Sequence, residues 1–153
     1  MKVNVKQLHE NATIPTYAHE GDACFDLSAA TVYRINDGAK YISSGETILC
    51  GTGLAFDIPA GSVMLVFSRG GHGFKHNIRL SNCTGVIDHG YTGEVMVKLI
   101  CDSQEFEQPY TVRVGDRIAQ AMIIPVESCT FEVVEQLTLS ERGSNGFGSS
   151  GDA

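Results

Sequence analysis

One carboxylate in this chain stands at a turn that can present it to a small ligand. Asp88 falls in Gly85-Val86-Ile87-Asp88-His89-Gly90-Tyr91-Thr92-Gly93-Glu94-Val95, where an apolar run breaks at a turn and resumes as Val95-Met96-Val97-Lys98-Leu99. Such a turn presents its acid to a ligand, Gly90 and Gly93 permit close backbone approach, and Tyr91 offers a flat face beside the acid. The same residues equally make an ordinary hairpin whose Asp satisfies local amides. A second candidate is Ser68-Arg69-Gly70-Gly71-His72-Gly73-Phe74-Lys75-His76, where glycines mix with cations after a buried-type strand, a composition suited to a polyphosphate. It lacks both the lysine-serine ending of a Walker loop and the strand–helix setting of a dinucleotide fingerprint. The third is Arg142-Gly143-Ser144-Asn145-Gly146-Phe147-Gly148-Ser149-Ser150-Gly151, by composition a frayed Gly/Ser-rich end. Its amides, Arg142 and the hydroxyls of Ser149 and Ser150 also offer phosphate donors, and Phe147 a stacking face, so it can serve as a lid over a nucleotide. Gly115-Asp116-Arg117-Ile118-Ala119-Gln120 reads locally as a turn with an internal ion pair.

These segments need elements to hold them. Short β-type runs recur between turns: Val3-Asn4-Val5, Phe25 to Ala29, Thr47 to Leu49, Gly53 to Ile58, Val63 to Phe67, Val95 to Ile100, Tyr110 to Val114, Met122 to Ile124 and Phe131-Glu132-Val133-Val134. Many short strands with turn signals such as Pro59-Ala60-Gly61-Ser62 point to an all-β sandwich or barrel. Asp116 to Met122 admits a helix or a strand–turn–strand equally well. No internal repeat or linker divides the chain, which reads as one β domain over residues 1–141 followed by a flexible lid over residues 142–153.

The 153 residues suffice for one core without disulfide staples. With 11 basic residues against 18 acidic ones and a net charge of −7, a nucleic-acid polymer is not an expected partner, whereas a mononucleotide is compatible. Cys24, Cys50, Cys83, Cys101 and Cys129 form no CxxC pair and read as reduced core thiols, not zinc ligands or a disulfide framework. The N-terminal stretch has no apolar signal core, and no apolar run reaches the roughly 18 residues needed to cross a bilayer. A soluble, cytoplasmic protein is expected.

Taken in order, the chemical segments resemble the five short motifs of the homotrimeric dUTPase family. The first is Asp22-Ala23-Cys24-Phe25-Asp26-Leu27-Ser28-Ala29, the second Ser68 to His76, the third Asn82 to Glu94, the fourth Gly115 to Gln120 and the fifth Arg142 to Gly151. The likeness implies a distorted jelly-roll or β-clip barrel, a homotrimer with exchanged C-terminal arms, and sites built from several chains. The implied reaction is hydrolysis of dUTP to dUMP and pyrophosphate with Mg²⁺, by water attack on the α-phosphorus. Asp88 would be the general base, and Asp26 would reach the metal through water unless it is a structural turn residue. The phosphates would fall to Arg69, Gly70, Gly71, Gln120, Arg142, Gly148, Ser149 and Ser150. The nucleoside would fall to Asn82, Gly85, Val86, Ile87 and Met96, with Phe147 over the base and Tyr91 against the deoxyribose, leaving no room for a 2′-hydroxyl.

Three positions depart from the family pattern: Gly70 replaces a serine whose hydroxyl approaches the breaking bond, Cys24 a glycine, and Asn145 another glycine. Either Ser68 or His72 substitutes by a different geometry, or the contact is lost and the rate falls by about tenfold to over a hundredfold. One alternative is a nucleotide-sensing interaction protein of the same fold that hydrolyses slowly and answers to a regulatory protein partner. Another is a hydrolase of a related pyrimidine deoxynucleotide, akin to the dCTP deaminases. Against the latter, Lys98 stands where those enzymes carry a catalytic glutamate.

Overall fold

Alternating apolar residues in the β runs become the inner faces of two antiparallel four-stranded sheets. In this computed structural model, residues 1–34, 41–102, 109–140 and 143–144 are described. Their elements are β1 (Asn4–Gln7), β2 (Phe25–Ser28), β3 (Thr31–Arg34), β4 (Tyr41–Ile42), β5 (Thr47–Gly51), β6 (Leu54–Asp57) and β7 (Ser62–Phe67), then α1 (Gly70–His76). The chain continues through β8 (Ile78–Leu80), β9 (Thr84–Ile87), β10 (Met96–Cys101), β11 (Tyr110–Thr111) and β12 (Arg117–Pro125). One sheet runs β3-β5-β10-β8 and the other β2-β12-β7-β9, with two-stranded pairs β1-β6 and β11-β4 beside them. On β10 the pattern is strict: Val97, Leu99 and Cys101 are buried while Met96 and Lys98 face out. Ile48, Val97 and Leu99 from one sheet join Leu27, Met64, Val66 and Ala121 from the other in a single apolar cluster. Each fully buried aliphatic side chain there stabilises the fold by about 1.5–3 kcal/mol. The architecture is a jelly-roll β domain whose strands form separate sheets, not one closed barrel.

Four expectations change in detail. Asp116 to Met122 resolves as turn and strand: Arg113 N–H bonds the Asp116 carboxylate at 2.8 Å, and β12 follows directly. β9 and β10 are not a hairpin, since β9 pairs with β7 and β10 with β5 and β8, so the Asp88 segment crosses between sheets. Phe131 to Val134 forms no strand. Phe131, Val133, Leu137 and Leu139 are 95%, 100%, 84% and 97% exposed, so this stretch has nothing within the described chain to pair with.

The glycine-rich second segment, read as lacking a strand–helix setting, is a helix, α1, that follows β7. Its sequence GGHGFKH includes three glycines, each costing about 1 kcal/mol relative to alanine in a helix interior. Tertiary contacts hold it: His72 is buried with Nε2 3.3 Å from the Tyr110 hydroxyl, and the His76 ring lies 4.5 Å from that of Tyr110. Asn77 ends the helix in the left-handed region, its N–H bonding the Gly73 carbonyl. Burial, and then the nearby Arg69 charge, hold the His72 pKa below its usual value. The unfolded chain therefore takes up this proton before the folded one does, and the stability present above pH about 6.5 declines as pH falls through the lowered folded value. Melting temperature is expected to drop between pH 7.5 and 5, and less steeply in His72→Gln; equal slopes would exclude His72 as the source.

Candidate functional site

At one end of the β2-β12-β7 sheet the strand register gathers charge. Gln120 on β12 lies opposite Asp26 on β2 and Phe67 on β7, and the chain leaving β7 carries Ser68 and Arg69 over the sheet end. Arg69 Nε donates to Asp26 Oδ1 at 2.9 Å and Arg117 Nη1 to Asp26 Oδ2 at 3.0 Å, while Arg69 Nη1 reaches the Arg117 carbonyl at 3.3 Å. Gln120 Nε2 donates to the Ser68 carbonyl at 2.9 Å, fixing the start of the segment that leads into α1. Asp26, Arg69, Gly70, Gly71, Arg117 and Gln120 line a cleft of about 430 Å³. Each guanidinium carries five N–H donors in a planar fork, so donors remain for an anion after Asp26 has oriented the pair.

Arg117 was not expected as a site residue. Its local reading was an ion pair within the Gly115–Gln120 turn, whereas its partner is Asp26, 91 positions away. The adjacent acid, Asp116, instead accepts the Arg113 N–H. Cys24, beside Asp26, is held above its usual pKa by burial and then by the Asp26 charge, so it stays a thiol.

A second, narrower cleft of about 310 Å³ opens where β9 and β10 part into different sheets, and Asn82, Gly85, Val86, Ile87, Met96 and Lys98 border it. The five residues expected to contact a nucleoside therefore fall together. Lys98 shares this wall, which does not favour the deaminase alternative. Beyond Ile87 the chain turns at Asp88-His89-Gly90-Tyr91: Tyr91 N–H bonds the Asp88 carbonyl at 3.2 Å, and Gly90 takes φ +88°, a conformation costly for a side-chain-bearing residue. His89 Nδ1 hooks the Ile58 carbonyl at 2.6 Å, and the Tyr91 hydroxyl donates to the Glu94 carbonyl at 3.0 Å. Asp88 itself is exposed, and no described residue bonds its carboxylate. The reading of Asp88 as an acid satisfying local amides therefore fails.

Asp88 and Arg69 do not meet within one chain. Ile87 is level with Met64 and Thr84 with Phe67, so Asp88 lies near Val63 while Arg69 lies past the other end of β7. At about 3.3 Å per residue the two are separated by roughly 15–20 Å. Arg142, Phe147, Gly148, Ser149 and Ser150, together with the proposed lid over residues 142–153, lie outside the described residues save for Gly143 and Ser144. For a divalent metal, the described residues contain no cluster of three or more His, Cys, Asp or Glu side chains. Asp26 is a single carboxylate already bridging two arginines. This donor set fits an ion that arrives with substrate phosphates and keeps most of its waters, as Mg²⁺ does.

Fold and clefts together define a class: an all-β jelly-roll domain with one cleft lined by two arginines and a second cleft between β9 and β10. A model of the dUTPase family matches residues 10–151, and the chain belongs to that family. It is 42% identical over 151 residues to the deoxyuridine 5′-triphosphate nucleotidohydrolase of Nautilia profundicola, with 99% of each chain covered. The enzyme of the same name from Pasteurella multocida is 40% identical over 155 residues, covering 98% of this chain and 97% of that one. Among solved structures, Staphylococcus bacteriophage 80alpha dUTPase with dUPNHPP superimposes with a TM-score of 0.83 at 30% identity, with 98% of each chain covered. No helix among the described residues is long and apolar enough to cross a membrane.

Proposed function

We propose that the chain hydrolyses dUTP to dUMP and pyrophosphate in sites shared between the subunits of a homotrimer. The observation that carries this reading is the separation of Asp88 from Arg69 along β7. A base acts within about 3 Å of its water, and a guanidinium within a similar distance of phosphate oxygen, so both must lie within several ångströms of one triphosphate. One chain holds them too far apart, and pairing the Asp88 loop of one subunit with the Arg69 cleft of another closes the distance. The exposed apolar stretch from Phe131 to Leu139 supports such an assembly. An apolar groove of about 440 Å³ lined by Val3, Val5, Tyr17, Phe25, Phe56 and Ile123 offers a place for an arm exchanged between copies.

In this reading Asp88 takes the proton of the water as its oxygen attacks the α-phosphorus, and the bond from that phosphorus to the bridging oxygen breaks to release pyrophosphate. Arg69 and Gln120, with Arg142, Ser149 and Ser150 of the closing tail, bind the phosphate oxygens as charge shifts onto the leaving group. Gly70, Gly71 and Gly148 allow the backbone to approach those phosphates. Asn82, Gly85, Val86, Ile87 and Met96 hold the uracil end, Phe147 covers the base, and Tyr91 walls off the sugar edge. Asp26 holds Arg69 and Arg117 in place and would contact through water the Mg²⁺ carried by the phosphates, an ion that would supply charge neutralisation and phosphate alignment.

Mixing two inactive variants tests the shared site. Asp88→Asn and Arg69→Ala, unfolded together and refolded at equal concentration, are expected to recover activity at about a quarter of their sites, since some interfaces pair two intact halves. No recovery, with trimers confirmed by sedimentation, would mean that one chain supplies both groups.

A further inference from the structure

Excluding a 2′-hydroxyl by contact requires a wall that does not move, yet an exposed aromatic ring on a loop reorients within nanoseconds. Tyr91 is 47% exposed on such a loop, but its surroundings restrain it. Its hydroxyl is bonded to the Glu94 carbonyl at 3.0 Å. Its ring also covers Gly93 so closely that a Cβ there would stand 2.6 Å from the hydroxyl oxygen and 2.8 Å from Cζ. Glu94 is in turn fixed by its own carboxylate, whose Oε1 accepts the Gly53 N–H at 2.8 Å, a charge-assisted bond to buried backbone. A side chain at Gly51 would run into the same carboxylate, so the fit is tight.

Gly53 is itself held from both sides. Its carbonyl accepts Leu8 N–H at 2.7 Å, and a Cβ at this position would stand 2.8–2.9 Å from the Cβ atoms of His9, Ala12 and Ala30. Next to Glu94, the Val95 carbonyl takes the Thr52 hydroxyl at 2.8 Å, and Val95 N–H bonds the Leu54 carbonyl at 2.9 Å. A continuous chain of contacts thus runs from the buried β5–β6 turn through the Glu94 carboxylate and carbonyl to the Tyr91 hydroxyl. We propose that Glu94 is the positioning residue for sugar selectivity, holding the Tyr91 ring against the place of the 2′ carbon through its bond to Gly53. This rests on the dUTP-hydrolase reading and on the place of Tyr91 within it.

The test compares kcat/KM for dUTP and UTP in the wild type, Glu94→Ala, Glu94→Gln, Tyr91→Ala and the double variant Glu94→Ala/Tyr91→Ala. Glu94→Ala is expected to lower the dUTP-over-UTP preference about tenfold, while Glu94→Gln, which keeps an oxygen acceptor for Gly53 N–H, restores it to within about threefold. The double variant should be no less selective than Tyr91→Ala alone, because without the ring there is nothing left to position. Unchanged preference in Glu94→Ala, or additive losses in the double variant, would overturn the proposal. If Glu94→Ala does not fold, Gly93→Ala, whose methyl displaces the ring, is expected to lose the same preference. Amide hydrogen exchange across residues 88–95 in the nucleotide-free chain decides the clamp apart from turnover. Exchange about tenfold faster in Glu94→Ala than in Glu94→Gln supports it and equal rates refute it, whereas wild type inactive on dUTP refutes the functional reading alone.

Discussion

Asp88→Asn is expected to lower kcat for dUTP by about 10² to 10⁴ while changing KM by less than about threefold. Asparagine matches the volume of aspartate but cannot take a proton from water, so the loss should fall on the chemical step. The surroundings of Asp88 make this a clean experiment. Its carboxylate bonds no described residue, and the loop's shape comes from other groups: the Tyr91 N–H on the Asp88 carbonyl, His89 on Ile58, and the Tyr91 hydroxyl on Glu94. Removing the charge therefore leaves the loop its anchors, and melting temperature should hold within a few degrees. Single-turnover rates, with dUTP binding followed separately, would check the split. A loss of only a few-fold in kcat would move the base to another residue.

Gly70→Ser is expected to raise kcat by about tenfold or more. Gly70 borders the arginine cleft at the first position of α1, and a Cβ there would meet no atom within 4 Å, so a serine fits without displacing anything. Neither side chain considered as a replacement for the missing hydroxyl lines that cleft. The Ser68 hydroxyl oxygen accepts Leu80 N–H at 2.9 Å, and His72 is buried against Tyr110. A serine at position 70 would bring to the cleft a hydroxyl that neither of them places there. A charge-directed hydrogen bond regained in the transition state contributes about 1.5–3 kcal/mol, which is tenfold to over a hundredfold in rate. Steady-state turnover of dUTP by the two proteins decides it: rates equal within about twofold would mean that backbone amides already supply the contact.

Much of the molecule was legible before any coordinates. Short β-type runs marked β2, β5, β6, β7 and β10 and three of the nine residues of β12, because a half-buried strand writes its faces into neighbouring residues. The short strands β4 and β8, of two and three residues, carry too few positions to show a period. The helix α1 was illegible for a different reason: its glycines argue against helix, and only the pocket that buries His72 under Tyr110 overrides them.

For the site, sequence alone determined the chemical types and their order: the acid before Gly90, the arginine among glycines, the glutamine after Asp116-Arg117 and the five motifs that place the chain in its family. Those are local properties of residue type and spacing. Tertiary structure alone decided which groups meet. The Arg117–Asp26 pair spans 91 positions and the Glu94–Gly53 bond 41, distances at which no local pattern carries information. The parting of β9 and β10 into separate sheets opened the nucleoside-sized cleft, and the β7 register set Asp88 and Arg69 at opposite ends. Strand pairing is fixed by burial across the whole core, so it is absent from any single stretch of chain and appears only when all the strands are in place.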